Sequence, residues 1–373
     1  MLPVSRPSLG EEELEAIRRV FQSRWLGLGA VVKEFEDRIA SYLGGGRQVV
    51  ATNTGTTALH LALDALGIGA GDEVIVPSLT FAATVQAILQ TAARPVFCEI
   101  FSADLNCDVR DVAARITPRT RAIVPVHYCG EPCEMNGILA FTGARGIRVV
   151  EDAAHAFGSS YRGRRIGSFG DITCFSFDPI KNITCGEGGA VVVEDPNLAN
   201  LLRKKRMLGI DKDSWTRYQH ERTWFYDVVT SGYRYHMSNI NAAIGLAQLE
   251  KMDAFLARKR AIVSRYEEAF RELRGLRLLR RHPNETAPFC FIVRILDGKR
   301  DAFMRFLGER RVGTGVHYIP NHLQSYCKEF STPLPVTERV GEEIVTLPLY
   351  VEMTEADVDQ VVLAVRSFFG ARD

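Results

Sequence analysis

A lysine, a pair of carboxylates and a hydroxyl-rich turn each follow an apolar run, the place from which side chains reach a ligand. Lys181 ends the stretch Cys174-Phe-Ser-Phe-Asp-Pro-Ile-Lys181 and precedes the glycine-rich Gly186-Glu-Gly-Gly189. Flanked by Ile180 and Ile183, its amine would be partly stripped of water. Its pKa would then fall and the free base could attack an aldehyde. The other reading is a solvated loop lysine. Glu151 and Asp152 follow the apolar Val149-Val150. At the carboxyl end of a strand, Asp152 either keeps a pyridine nitrogen protonated, making that ring an electron sink, or caps the next helix.

The turn is Thr52-Asn-Thr-Gly-Thr-Thr57. Gly55, with the hydroxyls of Thr56 and Thr57 at a helix N-terminus, offers N–H groups, side-chain donors and the positive end of the dipole. That describes a phosphate cradle, and equally an ordinary helix cap. Ser176 is a further phosphate donor or a small buried residue. The glycines at 186, 188 and 189 suit a tight turn close to a ligand. Gly232-Tyr-Arg-Tyr-His-Met-Ser-Asn239 opens a helix and is a second candidate anion site, with aromatics suited to packing.

These groups need a frame. Strand-like runs cover residues 48–51, 73–77, 95–100, 122–126, 148–151, 173–177 and 190–193, mostly β-branched and uniformly apolar. Helical periods such as 57–66 and 84–91 fall between them, so repeated βα units predict a mostly parallel sheet covered by helices. Ser8-Leu-Gly-Glu11 has capping-box spacing and opens an amphipathic helix with Leu14, Ile17 and Val20 on one face. Residues 239–273 read as one long helix, followed by a strand at 288–295 and helices near 301–310 and 354–369. We therefore expect a large α/β domain, 1–244, and a smaller α+β domain, 245–373, with the N-terminal segment free to pack on the latter. Residues 210–230 form a candidate functional loop.

Bulk properties exclude other classes. Of 373 residues, 46% are hydrophobic and 24% charged, with a net charge of +1, which disfavours nucleic acid and membrane surfaces as partners. The eight cysteines form no Cys-x-x-Cys pair, and neither a disulfide framework nor a metal site is expected. No signal-peptide core or membrane-length apolar run is read, so a cytoplasmic protein is expected.

Taken in order, the motifs resemble the DegT/DnrJ/EryC1/StrS family of sugar aminotransferases over nearly the whole chain. They are Arg6-Pro-Ser-Leu-Gly10, Gly71-Asp-Glu-Val-Ile-Val-Pro77 with Thr80-Phe81, Glu151-Asp-Ala-Ala-His-Ala156, and Phe175-Ser-Phe177 with Lys181. Gly186-Glu-Gly-Gly189, Gly232-Tyr-Arg-Tyr-His-Met237, Gly313-Thr-Gly-Val-His-Tyr318 and Leu347-Pro-Leu-Tyr350 complete the series. The resemblance implies a type I aminotransferase fold, pyridoxal 5'-phosphate (PLP) as cofactor and a homodimer with shared active sites. It implies Lys181 as the Schiff-base lysine, Asp152 at the pyridine nitrogen, Phe81 stacked on the ring and His155 near the phenolic oxygen. Gly55, Thr56, Thr57 and Ser176 would hold the phosphate, joined by Asn239 from the neighbouring subunit.

The same resemblance implies transfer of an amino group from glutamate or glutamine to a nucleotide-linked keto-deoxysugar. Ile180-Lys-Asn-Ile-Thr-Cys185, His317-Tyr-Ile-Pro and His322-Leu-Gln324 look most like the enzymes acting at C-4. Trp25, Leu26, Gly27, residues 210–230, His317 and His322 would line the sugar pocket, and Arg217 and Arg222 either meet a diphosphate or are solvated loop charges. The two histidines read equally well as polar residues satisfied within the small domain. The alternatives are amination of a keto-cyclitol or an aminobenzoate-type precursor, a PLP-dependent dehydratase and a non-catalytic regulator. A dehydratase of this scaffold replaces the lysine by histidine, whereas Lys181 is present.

Overall fold

The computed structural model describes residues 1–211 and 226–370. Period-two alternation decides which side chain goes to which face of its central sheet. In β1 (Gln48–Thr52), Val49 and Ala51 join one buried cluster and Val50 the other. In β9 (Gly189–Val193), Ala190 and Val192 go one way and Val191 and Val193 the other. Both faces are apolar, as a sheet covered on both sides requires. With β2 (Glu73–Pro77), β3 (Arg94–Cys98), β4 (Thr120–Ile123), β5 (Arg148–Asp152) and β8 (Ile172–Ser176), seven strands lie in the order β1-β9-β8-β5-β4-β2-β3. A separate hairpin pairs β6 (Ser160–Tyr161) with β7 (Arg164–Arg165).

The pairs from β3 through β8 are parallel, while β9 runs against both β1 and β8. Antiparallel neighbours need no crossover, so the chain between β8 and β9 stays at the carboxyl end of β8 as a loop. That loop carries Lys181.

One face of the sheet is covered by α2 (Ala30–Tyr42), α5 (Val109–Ala114), α6 (Met135–Thr142) and α8 (Asn239–Glu250). The other is covered by α3 (Gly55–Ala65), α4 (Ala82–Gln90) and α7 (Pro196–Lys205). A smaller antiparallel sheet follows, β10 (Leu276–Leu278), β11 (Phe291–Ile295) and β12 (Ile344–Leu347). Its apolar residues pack with those of α9 (Met252–Phe270), α10 (Arg300–Glu309) and α12 (Glu355–Phe368) around Tyr266, Phe270, Phe303 and Val365. Leu2 joins this cluster and pairs with Val312, so the N-terminal segment does pack beside the small sheet. α11 (Pro335–Glu343) leads into β12.

Two elements, α1 and the long helix, differ from expectation. α1 (Glu11–Ser23) is capped by Gly10 rather than Ser8, because Glu13 reaches back to the Gly10 N–H at 2.8 Å. Its contact face is Ala16 and Val20 against Ala243 of α8, while Leu14 is exposed. The long helix expected over 239–273 breaks at Lys251, whose N–H bonds Gln248 O and so closes a tighter turn between α8 and α9. The boundary expected at 244/245 lies inside α8. All eight cysteines are free and buried. No helix among the described residues is long and apolar enough to cross a membrane.

Candidate active site

The ends of β5 and β8, the start of α3 and the entry to α4 converge on a cleft of about 290 Å³, at the carboxyl edge of the parallel strands. Gly55, Thr56, Phe81, Asp152, His155, Ser176, Lys181 and His317 line it. Thr57, Trp25, Leu26, His322 and Asn239 lie outside that lining.

Thr54 caps α3, its hydroxyl accepting from Thr57 N–H at 3.1 Å. Thr57 answers by bonding Thr54 N–H at 3.2 Å and Asn53 Oδ1 at 2.7 Å, which commits its hydroxyl to the cap. Gly55 and Thr56 remain at the cleft, where the first N–H groups of a helix have no intrahelical partner. Glycine at 55 is a matter of space: a Cβ there would stand 2.7 Å from Ser176 Cβ. The start of α3 and the end of β8 can therefore touch, giving hydroxyls and helix N–H groups one target.

Lys181 sits over the Phe289 ring, its Nζ 4.3 Å from the centroid. Burial pulls its amine below the usual lysine range, against the charges of Asp178 and Asp152. Asp152 is 4% exposed; its Oδ2 accepts from Thr84 Oγ1 at 2.7 Å and its Oδ1 from Ala154 N–H at 3.1 Å. Thr80 backs Thr84 at 2.8 Å. Burial pushes the Asp152 carboxyl up, although these donors and Lys181 pull it down. Among the described residues, no cation lies within ion-pair distance of it.

His155 lies nearly parallel to Phe289, with centroids 4.2 Å apart. Its Nδ1 accepts from Cys129 N–H at 3.4 Å, so the proton sits on Nε2, which donates to Tyr318 Oη at 3.1 Å. Burial drives its pKa well below the usual range, with Lys181 and His317 acting in the same sense. It is a neutral donor. Phe81 is 54% exposed, and its ring centroid is 5.3 Å from that of Tyr318. His317 anchors Nδ1 on Thr346 Oγ1 at 2.8 Å.

The remaining expected residues have other work within this chain. Asn239, expected to reach a phosphate across a subunit boundary, is 3% exposed and spends both amide ends locally. Its Oδ1 accepts from Val32 N–H at 3.2 Å and its Nδ2 donates to Trp25 O at 3.0 Å, fastening the entry to α2. Trp25 in turn donates Nε1 to Leu28 O at 2.8 Å, while Leu26 and Gly27 are exposed. His322 is 2% exposed and bonds Ser78 Oγ at 2.6 Å and Glu338 at 3.3 Å, a polar residue satisfied by its own surroundings. Tyr233 and Tyr235 stack 4.8 Å apart and pack beside α3. Arg217 and Arg222, with most of the loop expected at 210–230, lie outside the described residues.

Thr84, Phe289 and Tyr318 were given no role from sequence. The partners of Thr84 and Tyr318 stand 68 and 163 positions away, beyond any local pattern. The nearest signal for Thr84 was its spacing, one helical turn after Thr80.

A model of the DegT/DnrJ/EryC1/StrS aminotransferase family matches residues 7–366. Among solved structures, the chain is similar to the aminotransferase TlmJ from Streptoalloteichus hindustanus, at 37% identity over 98% of both chains with a TM-score of 0.91. It is similar to the sugar aminotransferase CalS13 from Micromonospora echinospora, at 35% identity over 98% of this chain and 100% of that one, TM-score 0.90. Spr1654 from Streptococcus pneumoniae, solved in a PMP-form, aligns at 28% identity over 99% of both chains with a TM-score of 0.93. Its PLP-form aligns with a TM-score of 0.91, again at 28% identity, over 99% of this chain and 98% of that one.

Proposed function

The chain belongs to the DegT/DnrJ/EryC1/StrS aminotransferase family, and on that premise we propose that it aminates a nucleotide-linked keto-deoxysugar at C-4. It is a PLP-dependent aminotransferase, as members of this family are. The amino donor in this reading is glutamate or glutamine. The observation that carries the reading is the meeting, in one cleft, of a desolvated amine, a buried carboxylate and a helix N-terminus.

The residues present fit the cofactor. Asp152 is a buried carboxylate with no cation within ion-pair distance among the described residues, and a protonated ring nitrogen would supply one. Gly55, Thr56 and Ser176 form a crowded, donor-rich corner for the phosphate, with Thr57 shaping it as part of the cap. Phe81 would cover the ring, and His155 offers its Nε2 proton near the phenolic oxygen. Lys181 would hold the carbonyl carbon.

When bound, PLP supplies an electron sink for the pair left behind as a proton leaves the amino-bearing carbon. Once the donor's amine has displaced it from the carbonyl carbon, Lys181 Nζ would take the proton and give it back, serving as base and then acid. Burial lowers its pKa, which favours the unprotonated amine that this step needs. Asp152 would keep the ring nitrogen protonated, and Thr84 and Ala154 keep Asp152 aimed. The donor leaves as a keto acid before the sugar enters, so the reaction has two stages.

CalS13 is a sugar aminotransferase, and that likeness supports a sugar acceptor here. C-4 rests on the family likeness of the stretches around Lys181, His317 and His322. Of these, His317 lines the cleft, while His322 would act on the sugar only through the packing of that wall. Trp25 and Leu26 belong to the acceptor pocket only if two chains complete each site. A homodimer is part of the proposal, supported by the exposed apolar residues Leu9, Leu14, Phe21, Leu26, Leu323 and Tyr326. The division into units 1–244 and 245–373 is kept, with the separate small sheet in its favour. Free buried cysteines agree with a reducing cytoplasm.

The test loads the protein with PLP, converts it with glutamate or glutamine, and offers nucleotide-linked 4-keto and 3-keto sugars and a keto-cyclitol. Return of the original visible band with the 4-keto sugar is expected. Return with only the 3-keto sugar or the cyclitol overturns the C-4 reading and selects the alternative.

A further inference from the structure

We propose that Lys259 of α9 is a positioning residue for Lys181, which it serves by holding the adjacent Asn182 and by placing a second cation behind the amine. The proposal rests on Lys181 being the cofactor lysine.

Lys259 is 4% exposed, and its Nζ donates to Asn182 Oδ1 at 3.0 Å. The other end of the same amide donates to Phe157 O at 3.2 Å and Ala287 O at 3.3 Å. One buried side chain thus ties the Lys181 loop to α9, to the segment after β5 and to the segment leading to Phe289. Lys259 decides which way that amide points, since it is the donor on the oxygen side. Without it, a buried acceptor is left unpaired and the residue next to Lys181 loses one of its three tethers.

The charge is as telling as the bond. Among the described residues, no carboxylate lies within 4 Å of Lys259 Nζ. By contrast Lys205, 9% exposed, is paired with Asp64 at 2.7 Å, and Lys251 is paired with Glu13. A buried ammonium held only by an amide repels any cation brought near it. Burial takes Lys259 down to about 8, with the charge of Lys181 acting in the same direction, and the repulsion is mutual. Facing Lys181 are Asp178 from its own turn and Asp152 from β5, which favour its charged form. The thiols of Cys129 and Cys290 act in the same sense, and His155 and His317 complete the surround. Burial is the largest influence lowering Lys181; in this proposal the charge of Lys259 adds to it, offsetting the two aspartates and keeping the amine available as a base.

The test uses the full-length protein with and without PLP. Acylation of Lys181 by a small amine-reactive ester is followed by peptide mass spectrometry from about pH 6 to about pH 10. In Lys259→Met without cofactor, the Lys181 midpoint moves up, so labelling near neutral pH falls about three- to tenfold, the effect of about half to one pKa unit. Lys259→Arg keeps the cation and a donor and stays within about twofold of wild type. Should Lys259→Met fail to fold, Lys259→Gln keeps a donor without the charge and must show the same upward shift. A midpoint unchanged in the uncharged variant, or shifted as far in Lys259→Arg, overturns the proposal. PLP must also protect Lys181 from the ester in the wild type. Absence of protection removes the premise itself, and is seen separately from the midpoints.

Discussion

The floor and the outer wall of the cleft are built by different rules. On the floor, Asp152 ends β5, Ser176 ends β8, Gly55 begins α3 and Lys181 sits in the loop that β8 and β9 share. Sheet register alone brings them together, because Asp152 pairs with Cys174 two residues before Ser176. On the wall, His317 and His322 are five positions apart, yet one lines the cleft and the other is sealed against Ser78 and Glu338. Position relative to a strand end decides who reaches the floor. Who reaches the wall depends on how a turn packs against distant residues.

The floor should therefore respond to substitution in catalysis and the wall in two separable ways. Asp152→Asn is expected to cut kcat/KM by about 10²- to 10³-fold with little change in urea midpoint, since the amide keeps the shape but cannot hold a ring proton. Near-normal turnover in that variant would detach Asp152 from the chemistry.

Beneath the floor, Lys259 carries a pH signature of its own. Its pKa of about 8 in the fold lies below the ordinary lysine value of 10.5. The unfolded chain thus binds the extra proton, and stability rises with pH between those two values. Urea unfolding should show that rise, about 3 kcal/mol at most, in the wild type relative to Lys259→Met. Parallel curves for the two proteins would show that the ammonium is not desolvated.

On the wall, His322→Ala should cost about 1–3 kcal/mol of stability, by removing the buried imidazole that Ser78 Oγ bonds while the backbone N–H of residue 322 still holds that oxygen, and should leave turnover per folded molecule unchanged. His317→Asn should do the reverse, raising KM for the sugar with stability within about 1 kcal/mol of wild type. Equal behaviour of the two variants would erase the distinction between floor-facing and sealed positions on that wall.

The same contrast explains what could be read from sequence. All seven strands of the large sheet were legible, because runs buried on both faces are uniformly apolar. β10 and β12, at three and four residues, are too short to leave a periodic trace. The break at Lys251 has no glycine or proline to announce it; it comes from a tightened turn. Leu14, Ile17 and Val20 look like the core face of α1, yet of these only Val20 joins the packed cluster, beside the smaller Ala16. The exposed Leu14 agrees with the proposed dimer. Lys181, Asp152, Ser176 and the start of α3 could be picked out by chemistry at strand ends. Thr84, Phe289 and Tyr318 could not, because their roles exist only through contacts made by the finished fold.

In the proposed reaction Lys181 is the residue to which the cofactor is bound. Borohydride reduction of the PLP-loaded protein, followed by peptide mass spectrometry, tests it directly. The account predicts one stably modified lysine, Lys181, and loss of that modification together with the visible band in Lys181→Ala. Modification of a different lysine, or a PLP band that survives Lys181→Ala, would contradict it.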